Sequence, residues 1–490
     1  MIKTIRPKLE LLSDELIQKI IGEAYTILET QGVFVENEEA LGLFREAGMK
    51  VDPSSLRVRI TAELVENSLS STPSSVKMYD RYGETAYLLG GDEVHFVPGS
   101  STVTIMDSER QQERKAITDD LIRFTHLTDC LEYLHFQSTG IISTDVTETV
   151  ADSYRLYIGL LFSRKPIVTG TFRVEGFGPM HRMLVAIRGS EKNLAEKPLA
   201  IFDACPSPPL KWSNLTAQSL IDSARAGIPS ELISMGMTGA TSPITITGTL
   251  VQHVVESLSG LVICQLAQRG APVIFGGCPL SFDMRRGTTP IGAIETLMID
   301  SAYVQIGKHL DLPTHSYMGM SDAKINDAQG GFETGIGVIL AALSGVNVIA
   351  GAGILDFIRC QSLEKLVIDN EICGTAYRLI KGIEQRDDPI ALDLFKDFAA
   401  DAQFLSLPHT KKWYKEEHTF PKLIDRDPYD IWVSKGRKSI TERAKEEVEN
   451  LLQKNPPSLP DKETQKALKE IMLSEARSND MPSLPEINIP

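Results

Sequence analysis

Several signatures of common enzyme chemistry are missing from this chain of 490 residues. It has no phosphate-binding G-x-x-x-x-G-K-[ST] loop, no H-E-x-x-H sequence and no G-x-S-x-G nucleophile turn. No Cys/His cluster has the spacing of a zinc site, so we expect no tightly bound metal. These absences exclude the most recognisable nucleotide-, zinc- and serine-dependent activities.

Cysteine and positive charge are also scarce. The six cysteines (130, 205, 264, 278, 360 and 373) are scattered without a C-x-x-C pair, which indicates reduced thiols rather than a disulfide framework. The net charge of −15 argues against a nucleic-acid or anionic membrane partner. No basic segment precedes an N-terminal apolar run, and no uninterrupted apolar stretch is long enough to span a bilayer. We therefore predict a soluble, cytoplasmic protein.

A short sequence pattern recurs between residues 94 and 351. A helical stretch ends, Gly or Pro follows, and a short apolar strand closes on a small residue. Eight segments fit, the first two more loosely than the rest: 94–97, 133–139, 165–170, 197–203, 227–236, 270–276, 312–319 and 345–351. Continuous apolar runs of this length are typical of strands that are covered on both faces.

The spacing of these strands predicts an α/β fold with a TIM (β/α)8 barrel. Their starts lie roughly 32 to 42 residues apart with a helical pattern in each gap, which suits a barrel of this size. An open doubly wound sheet is the alternative, but no G-x-G-x-x-G follows the first strand. We predict a helical N-terminal region with a β-hairpin (1–92), the barrel (93–384) and a charged helical C-terminal extension (385–490).

Barrel enzymes build their sites where the strands end. Here those positions carry small residues, several aromatic side chains and carboxylates, whereas cations are rare, with Arg173 and Lys211 as the exceptions. Such a mouth suits a small cation, because cation–π contacts contribute about 0.5–2 kcal/mol per ring. The alternative is that each aromatic residue simply packs in the core.

The segment from Leu312 to Phe357 is the most informative. It predicts a β-α-β unit whose Gly-rich loop leads into a helix that begins near Asp327. Gln329 and Glu333 lie on one face of that helix, and Gly330-Gly331 allows a partner to approach the backbone closely. A capped helix with an ordinary exposed face is the alternative interpretation.

Three stretches of this segment resemble the trimethylamine methyltransferase family: Ser321–Lys324, Asp327–Glu333 and the run from Ala342 to Ile354. The resemblance implies a TIM barrel that moves a methyl group from an amine to the Co(I) corrinoid (cobalamin) of a separate protein. Archetypal members contain pyrrolysine. This chain has only standard residues, so it resembles the branch that demethylates quaternary amines such as glycine betaine, proline betaine and carnitine.

Residue roles follow from strand-end position together with this resemblance. A quaternary nitrogen is already a leaving group, so we expect no catalytic acid, base or nucleophile, with Asp203 and Asp356 as electrostatic candidates. The substrate-binding candidates are Phe172, Arg173, Trp212, His315, Tyr317 and Phe357. The candidates for corrinoid approach are Gly319, Asp322, Asp327, Gln329, Gly330 and Glu333.

The expected partners are a cognate corrinoid protein, a small quaternary amine with glycine betaine as first choice, and further copies of this chain in a homo-oligomer. Two other functions stay open at this point. One is a non-catalytic protein that binds or senses quaternary ammonium compounds. The other is an unrelated barrel enzyme, such as a lyase or a hydrolase.

Overall fold

A computed structural model describes residues 4–396, 399 and 403–487. Within them, eight short parallel strands follow one another along the chain, as the recurring pattern of Gly or Pro followed by an apolar segment predicts. They are β1 (His95–Pro98), β2 (Gln137–Ser138), β3 (Ile167–Thr169), β4 (Ala200–Ala204), β5 (Ser230–Ser234), β6 (Val273–Gly277), β7 (His315–Ser316) and β8 (Val348–Ala352).

These strands pair in a closed order. Strands β2 to β6 form one parallel sheet in sequence order, and β7, β8 and β1 form a second. A parallel bridge between Phe96 and Leu134 joins β1 to the segment entering β2, and one between Phe275 and Thr314 joins β6 to β7. Every strand therefore has two neighbours, and the order returns to its start. We call this arrangement the strand ring.

A helix follows each strand, so the expected alternation is confirmed. The helices are α1 (Thr118–Cys130), α2 (Ala151–Phe162), α3 (Phe177–Arg188), α4 (Asn214–Ala226), α5 (Ile246–Ala267), α6 (Ile294–His309), α7 (Ala328–Ser344) and α8 (Leu363–Ile380), with a short helix, Glu191–Glu196, after α3. Helix α7 begins as predicted, because the Asp327 side chain accepts hydrogen bonds from the next turn. It ends at Gly345 with φ of 69°, a conformation that favours glycine.

The N-terminal region is less purely helical than the sequence suggests. Its helices are Asp14–Thr30, Glu38–Glu46 and Ala62–Ser71. Between them lie the strands Val33–Val35, Lys50–Asp52 and Arg57–Arg59, which form a sheet with Lys211–Trp212. Three-residue strands are too short to show an alternating pattern, so they were not predicted.

The predicted hairpin is confirmed and closes one end of the strand ring. Its strands, Val76–Tyr79 and Ala86–Leu89, are antiparallel. Val76, Met78 and Leu89 belong to the same apolar cluster as residues inside the ring. The backbone N–H of Tyr79 donates to the carbonyl of Pro198, just before β4. The hairpin therefore covers the amino ends of the strands.

The other end of the ring, where the strands finish, is called the carboxyl-end rim. The segments after β1 and β8 meet there in a small sheet made of Thr104–Asp107, Gln112–Lys115, Ile354–Leu355 and Cys360–Gln361. The C-terminal region adds the helices Pro408–Glu417, Tyr429–Ser434, Ile440–Lys454 and Lys462–Ser478. The last of these packs against α2 and α3.

Successive side chains along a strand point to opposite faces, and the two faces contribute to two separate apolar clusters. On β5, Leu232 packs outward into the large core under the helices, whereas Ile233 packs inside the ring. Phe275 and Ile274 divide in the same way on β6.

Helix α5 is long and apolar enough to cross a membrane by length and composition, but 83% of its apolar window is buried inside the protein. All six cysteines are free, as expected.

Candidate functional site

Two carboxyl groups face each other inside the strand ring. Asp203 on β4 is paired in register with Glu231 on β5. Glu231 is fully buried, whereas Asp203 is half-buried with one carboxyl oxygen shielded from solvent. Burial raises the pKa of Asp203 to about 6, although its hydrogen bond to Glu231 acts in the opposite direction. Burial, together with the charge of Asp203, raises the pKa of Glu231 well above its usual range. At neutral pH the two carboxyls therefore hold one shared proton and one net negative charge.

His315 on β7 reaches this pair across β6. Its Nδ1 lies 3.3 Å from Glu231 Oε1. Strand β6 has glycine at the inward position between them, where an added Cβ would lie 3.1 Å from the same Nδ1. Burial lowers the pKa of His315 to about 3, so the ring is neutral and the contact is not an ion pair at neutral pH.

Tyr317 completes the inner wall beside His315. The two rings meet edge to face with centroids 4.7 Å apart. Burial first, and then the charges of Asp203 and Glu231, raise the pKa of Tyr317 well above its ordinary value. The phenol is therefore neutral and offers an aromatic surface next to a negative charge.

Several polar atoms of this cluster lack a partner. Apart from the contacts within the cluster, one Asp203 oxygen, both Glu231 oxygens and both His315 ring nitrogens have no hydrogen bond from the described residues. An unsatisfied buried polar group costs about 1–3 kcal/mol. These polar groups are therefore available to water or to a ligand.

A buried arginine lies at the carboxyl-end rim nearby. Arg155 belongs to α2 and is 1% exposed, and its Nη1 donates to Ser101 Oγ (2.7 Å) and to the Thr139 carbonyl (2.6 Å). Its guanidinium carbon lies 4.3 Å from the centre of the Phe172 ring. Burial lowers the pKa of Arg155 to about 10, while Asp152 and Asp203 oppose that shift. The group is therefore still charged at neutral pH.

Some of the residues predicted for the substrate site are brought together and others are not. Asp203, His315 and Tyr317 share the cluster inside the ring. Trp212 instead lies wholly buried in the outer core, where its N–H donates to Ser259 Oγ at 2.9 Å. Its ring packs against α5, so it offers no face to a ligand at the rim.

The remaining predicted residues at the rim already have partners in the chain. Arg173 forms an ion pair with Glu475 and donates to Asn479, so the C-terminal helix holds it. Lys324 Nζ lies 3.2 Å from Asp356 and 3.9 Å from the centre of the Phe357 ring. A lysine therefore occupies the cation position over Phe357.

The residues predicted for corrinoid approach build the loop between β7 and α7. Glu333 accepts hydrogen bonds from Ser321 Oγ (2.6 Å), the backbone N–H of Asp322 (2.8 Å) and the Gln329 side chain (2.8 Å). Asp322 accepts from the backbone of residues 291 and 292, and Asp327 from those of Gln329 and Gly330. At Gly319 an added Cβ would lie 3.0 Å from a β8 carbonyl. These side chains shape the loop.

The loops at this rim also expose apolar side chains. Phe332 on α7 is 67% exposed, and Met284 in the loop after β6 is 60% exposed. Ile294 and Ile325, also in this part of the chain, are exposed. We call these four residues the rim patch. Exposed apolar side chains that form a continuous surface are typical of sites that meet another macromolecule.

Sequence reasoning missed both Glu231 and Arg155. Glu231 lies within its strand rather than at its end, and Arg155 lies on a helix. A signal existed for Arg155, because it is the only cation in the apolar helix Ala151–Phe162, every residue of which is buried. Among the described residues, no group of three His, Cys, Asp or Glu side chains is arranged to hold a metal ion.

Known proteins resemble this chain in sequence and in fold. A family described as trimethylamine methyltransferase (MTTB) matches residues 1–482. The trimethylamine methyltransferase MttB of Desulfitobacterium hafniense is 33% identical over 92% of this chain and 91% of its own length. A glycine betaine methyltransferase from the same species is 31% identical over 92% and 94%. The structure of the Methanosarcina barkeri monomethylamine methyltransferase MtmB covers 91% of this chain and 89% of its own, with a TM-score of 0.50 and 10% identity.

Proposed function

The chain belongs to the trimethylamine methyltransferase family and is a methyltransferase, and we propose that it moves a methyl group from a quaternary amine to the Co(I) corrinoid of a partner protein. Glycine betaine is the proposed methyl donor, because a relative of that specificity is 31% identical to this chain. The corrinoid is a second substrate here, carried by its own protein. We infer that the strand ring is a TIM barrel with its site at the carboxyl-end rim.

The shared negative charge of Asp203 and Glu231 carries this proposal. A quaternary ammonium ion cannot donate a hydrogen bond, so it is bound by charge and by aromatic surface. The carboxyl pair supplies the charge inside the ring, and Tyr317 supplies the neighbouring aromatic face. The unpartnered oxygens of the pair are the groups that a bound cation would stabilise.

The reaction requires little covalent chemistry from the protein. When the methyl carbon moves to the corrinoid, its bond to nitrogen breaks and the electron pair stays on nitrogen. No side chain has to donate or remove a proton for that step. The protein contributes by holding one methyl group toward the rim, and alignment of this kind lowers a barrier by several kcal/mol.

The rim patch is the proposed docking surface of the corrinoid protein. The loop from Gly319 to Glu333 is held rigid by its internal hydrogen bonds and carries Ile325 and, at its helical end, Phe332. We therefore assign Gly319, Asp322, Asp327, Gln329, Gly330 and Glu333 the role of shaping this surface. The domain boundaries, the cytoplasmic location and the homo-oligomer stay predictions.

The test is a methyl-transfer assay with purified protein and a reduced corrinoid protein. Glycine betaine, carnitine, tetramethylammonium and trimethylamine are supplied one at a time, and the absorbance change on corrinoid methylation is followed. We expect transfer from at least one quaternary amine, and loss of that transfer in the double variant Asp203→Asn/Glu231→Gln. Asp222→Asn is the matched control, because this carboxyl on α4 also has a raised pKa but lies outside the ring. Binding of these compounds without methylation would overturn the proposal in favour of a sensor.

A further inference from the structure

Arg155 has no role in the proposed methyl transfer itself, yet it lies beside the carboxyl pair. We propose that Arg155 binds the carboxylate of the methyl donor, so that the site selects zwitterionic quaternary amines over simple ammonium ions. This inference rests on the proposed function and adds to it the residue that holds the carboxylate of the donor. It gives this role to Arg155 rather than to Arg173, one of the substrate-binding candidates predicted from the sequence.

The hydrogen bonds of Arg155 leave one edge of the guanidinium available. Nη1 has two hydrogens, and Ser101 Oγ and the Thr139 carbonyl accept both. The Nε atom is buried and has no hydrogen-bond partner among the described residues. The edge formed by Nε and Nη2 is one that a carboxylate can bind with two parallel hydrogen bonds.

The charge of Arg155 is also left without a direct partner. Asp152 and Asp203 attract it, but no carboxylate in residues 4–396, 399 and 403–487 is close enough to form an ion pair with it. Asp152 is committed elsewhere, because its oxygens accept from the backbone N–H groups of Ser153 (2.7 Å) and Phe172 (2.9 Å). A buried cation without an ion pair is costly to hold, and a carboxylate ligand offsets that cost.

The position of Arg155 relative to the carboxyl pair fits a zwitterion. Asp203 interacts electrostatically with the guanidinium and is hydrogen-bonded to Glu231. A zwitterion can therefore place its carboxylate at the guanidinium and its quaternary nitrogen at the carboxyl pair. Phe172 covers one face of the guanidinium and directs a ligand to its edge.

Arg173 provides the internal contrast. It follows Phe172 in the chain, but Glu475 already neutralises its charge and Asn479 accepts a further hydrogen bond. A substrate carboxylate would have to displace Glu475 in order to bind it. The fully buried Arg155 and the half-buried Arg173 therefore also differ in whether the chain already supplies their anion.

The test compares two ligands that share a head group. Glycine betaine and tetramethylammonium are titrated into wild type, Arg155→Gln and Arg155→Lys, with heats of binding as the readout and without any corrinoid. In Arg155→Gln we expect glycine betaine to bind about 100-fold more weakly, because a bidentate charged contact is lost. Tetramethylammonium should bind equally well or more tightly, since a positive charge near its site is removed. Arg155→Lys should lie between the two for glycine betaine.

Opposite responses of the two ligands cannot arise from a misfolded protein. Arg173→Gln is the matched control and should change the affinity for glycine betaine less than threefold, within the range of an indirect effect. Equal weakening of both ligands in Arg155→Gln, or no weakening of glycine betaine, would overturn the inference. So would a wild-type protein that binds tetramethylammonium but not glycine betaine. Because no methyl transfer is measured, failure of the proposed reaction would not be mistaken for failure of this inference.

Discussion

Two buried acidic clusters in this protein have opposite surroundings. Between α7, α8 and the end of β8, Asp369 accepts from Lys365 Nζ (2.6 Å) and from the backbone N–H of Gly353 (2.7 Å). Lys365 also donates to Thr334 Oγ1 at 2.7 Å. Inside the strand ring, Asp203 and Glu231 have mainly each other, a second carboxyl of the same sign.

The difference separates a structural cluster from the cluster that is proposed to bind the substrate cation. Burial raises the pKa of Asp369, but Lys365 and the Gly353 N–H oppose that shift and connect three elements of the fold. Among the described residues, no lysine or arginine forms an ion pair with Asp203 or Glu231, and burial leaves the pair with a shared proton. The chain supplies a cationic partner in the first case, and in the second the bound substrate is proposed to supply it.

Replacing Lys365, the cation of the structural cluster, should have the largest effect on stability. We expect Lys365→Met to lower the free energy of unfolding by about 3–5 kcal/mol, because Asp369 is then buried without its cation. Urea unfolding followed by circular dichroism measures this change. Lys466→Met, which removes an exposed cation from the C-terminal helix, is the control and should change stability by less than about 0.5 kcal/mol. A loss below about 1 kcal/mol for Lys365→Met would show that the pair does not stabilise the fold.

Neutralising the ligand-binding cluster should affect binding more than folding. We expect Asp203→Asn/Glu231→Gln to weaken tetramethylammonium binding about 100-fold, equivalent to about 2.7 kcal/mol, because the net charge inside the ring is lost. Calorimetric titration measures the dissociation constants. If the affinity of the double variant stayed within threefold of wild type, the cation would bind elsewhere.

The same comparison predicts a pH dependence of cation binding. The raised pKa of about 6 for Asp203 means that the pair is neutral well below pH 6 and negatively charged above it. Affinity for tetramethylammonium should therefore fall about tenfold between pH 7 and pH 5 as the pair gains its second proton, equivalent to about 1.4 kcal/mol. The double variant should show a flat profile over this range. A profile that is equally flat in wild type would contradict the assignment of the charge to this pair.

The smallest expected effect is a gain in stability. A carboxyl whose pKa is raised by folding favours the unfolded state above its unfolded pKa, and this penalty disappears as the pH falls below that value. Glu231→Gln should therefore increase the free energy of unfolding at pH 7 by about 1 kcal/mol. Urea titrations at pH 7 and pH 4 should show the gain only at pH 7. A destabilised variant would mean that the Glu231 carboxyl contributes to packing through contacts that glutamine cannot replace.

Local chemistry explains which parts of the fold were predictable. Six of the eight strands of the ring follow Gly or Pro closely, and each of these leaves an apolar run in the sequence, whereas β1 and β2 fit this pattern more loosely. The start of α7 follows from Asp327 as its cap, and the hairpin from the turn near Gly83. The short N-terminal strands leave no such pattern, since their pairing with Lys211–Trp212 depends on a distant segment.

The site was predictable mainly where a residue lies near the end of a strand. Asp203 and Tyr317 were expected because strand ends line a barrel mouth, whereas His315, also named as a candidate, begins β7. Glu231 was missed because its direction depends on strand register, which only the pairing with Asp203 determines. The burial of Trp212 depends on α5 and on the strand Val33–Val35, and the partners of Arg173 lie in the C-terminal region, so spacing could not reveal them.

The hairpin that covers the amino ends of the strands has a kinetic consequence. The methyl acceptor is proposed to dock on the opposite, carboxyl-end rim. If the donor enters through that rim as well, donor and acceptor use the same opening. On this proposal the amine would enter before the corrinoid protein arrives, and the demethylated product would leave after that protein departs. Each turnover would thus include a full cycle of protein association and dissociation, and the dissociation rate of the complex would set the ceiling on the rate of catalysis.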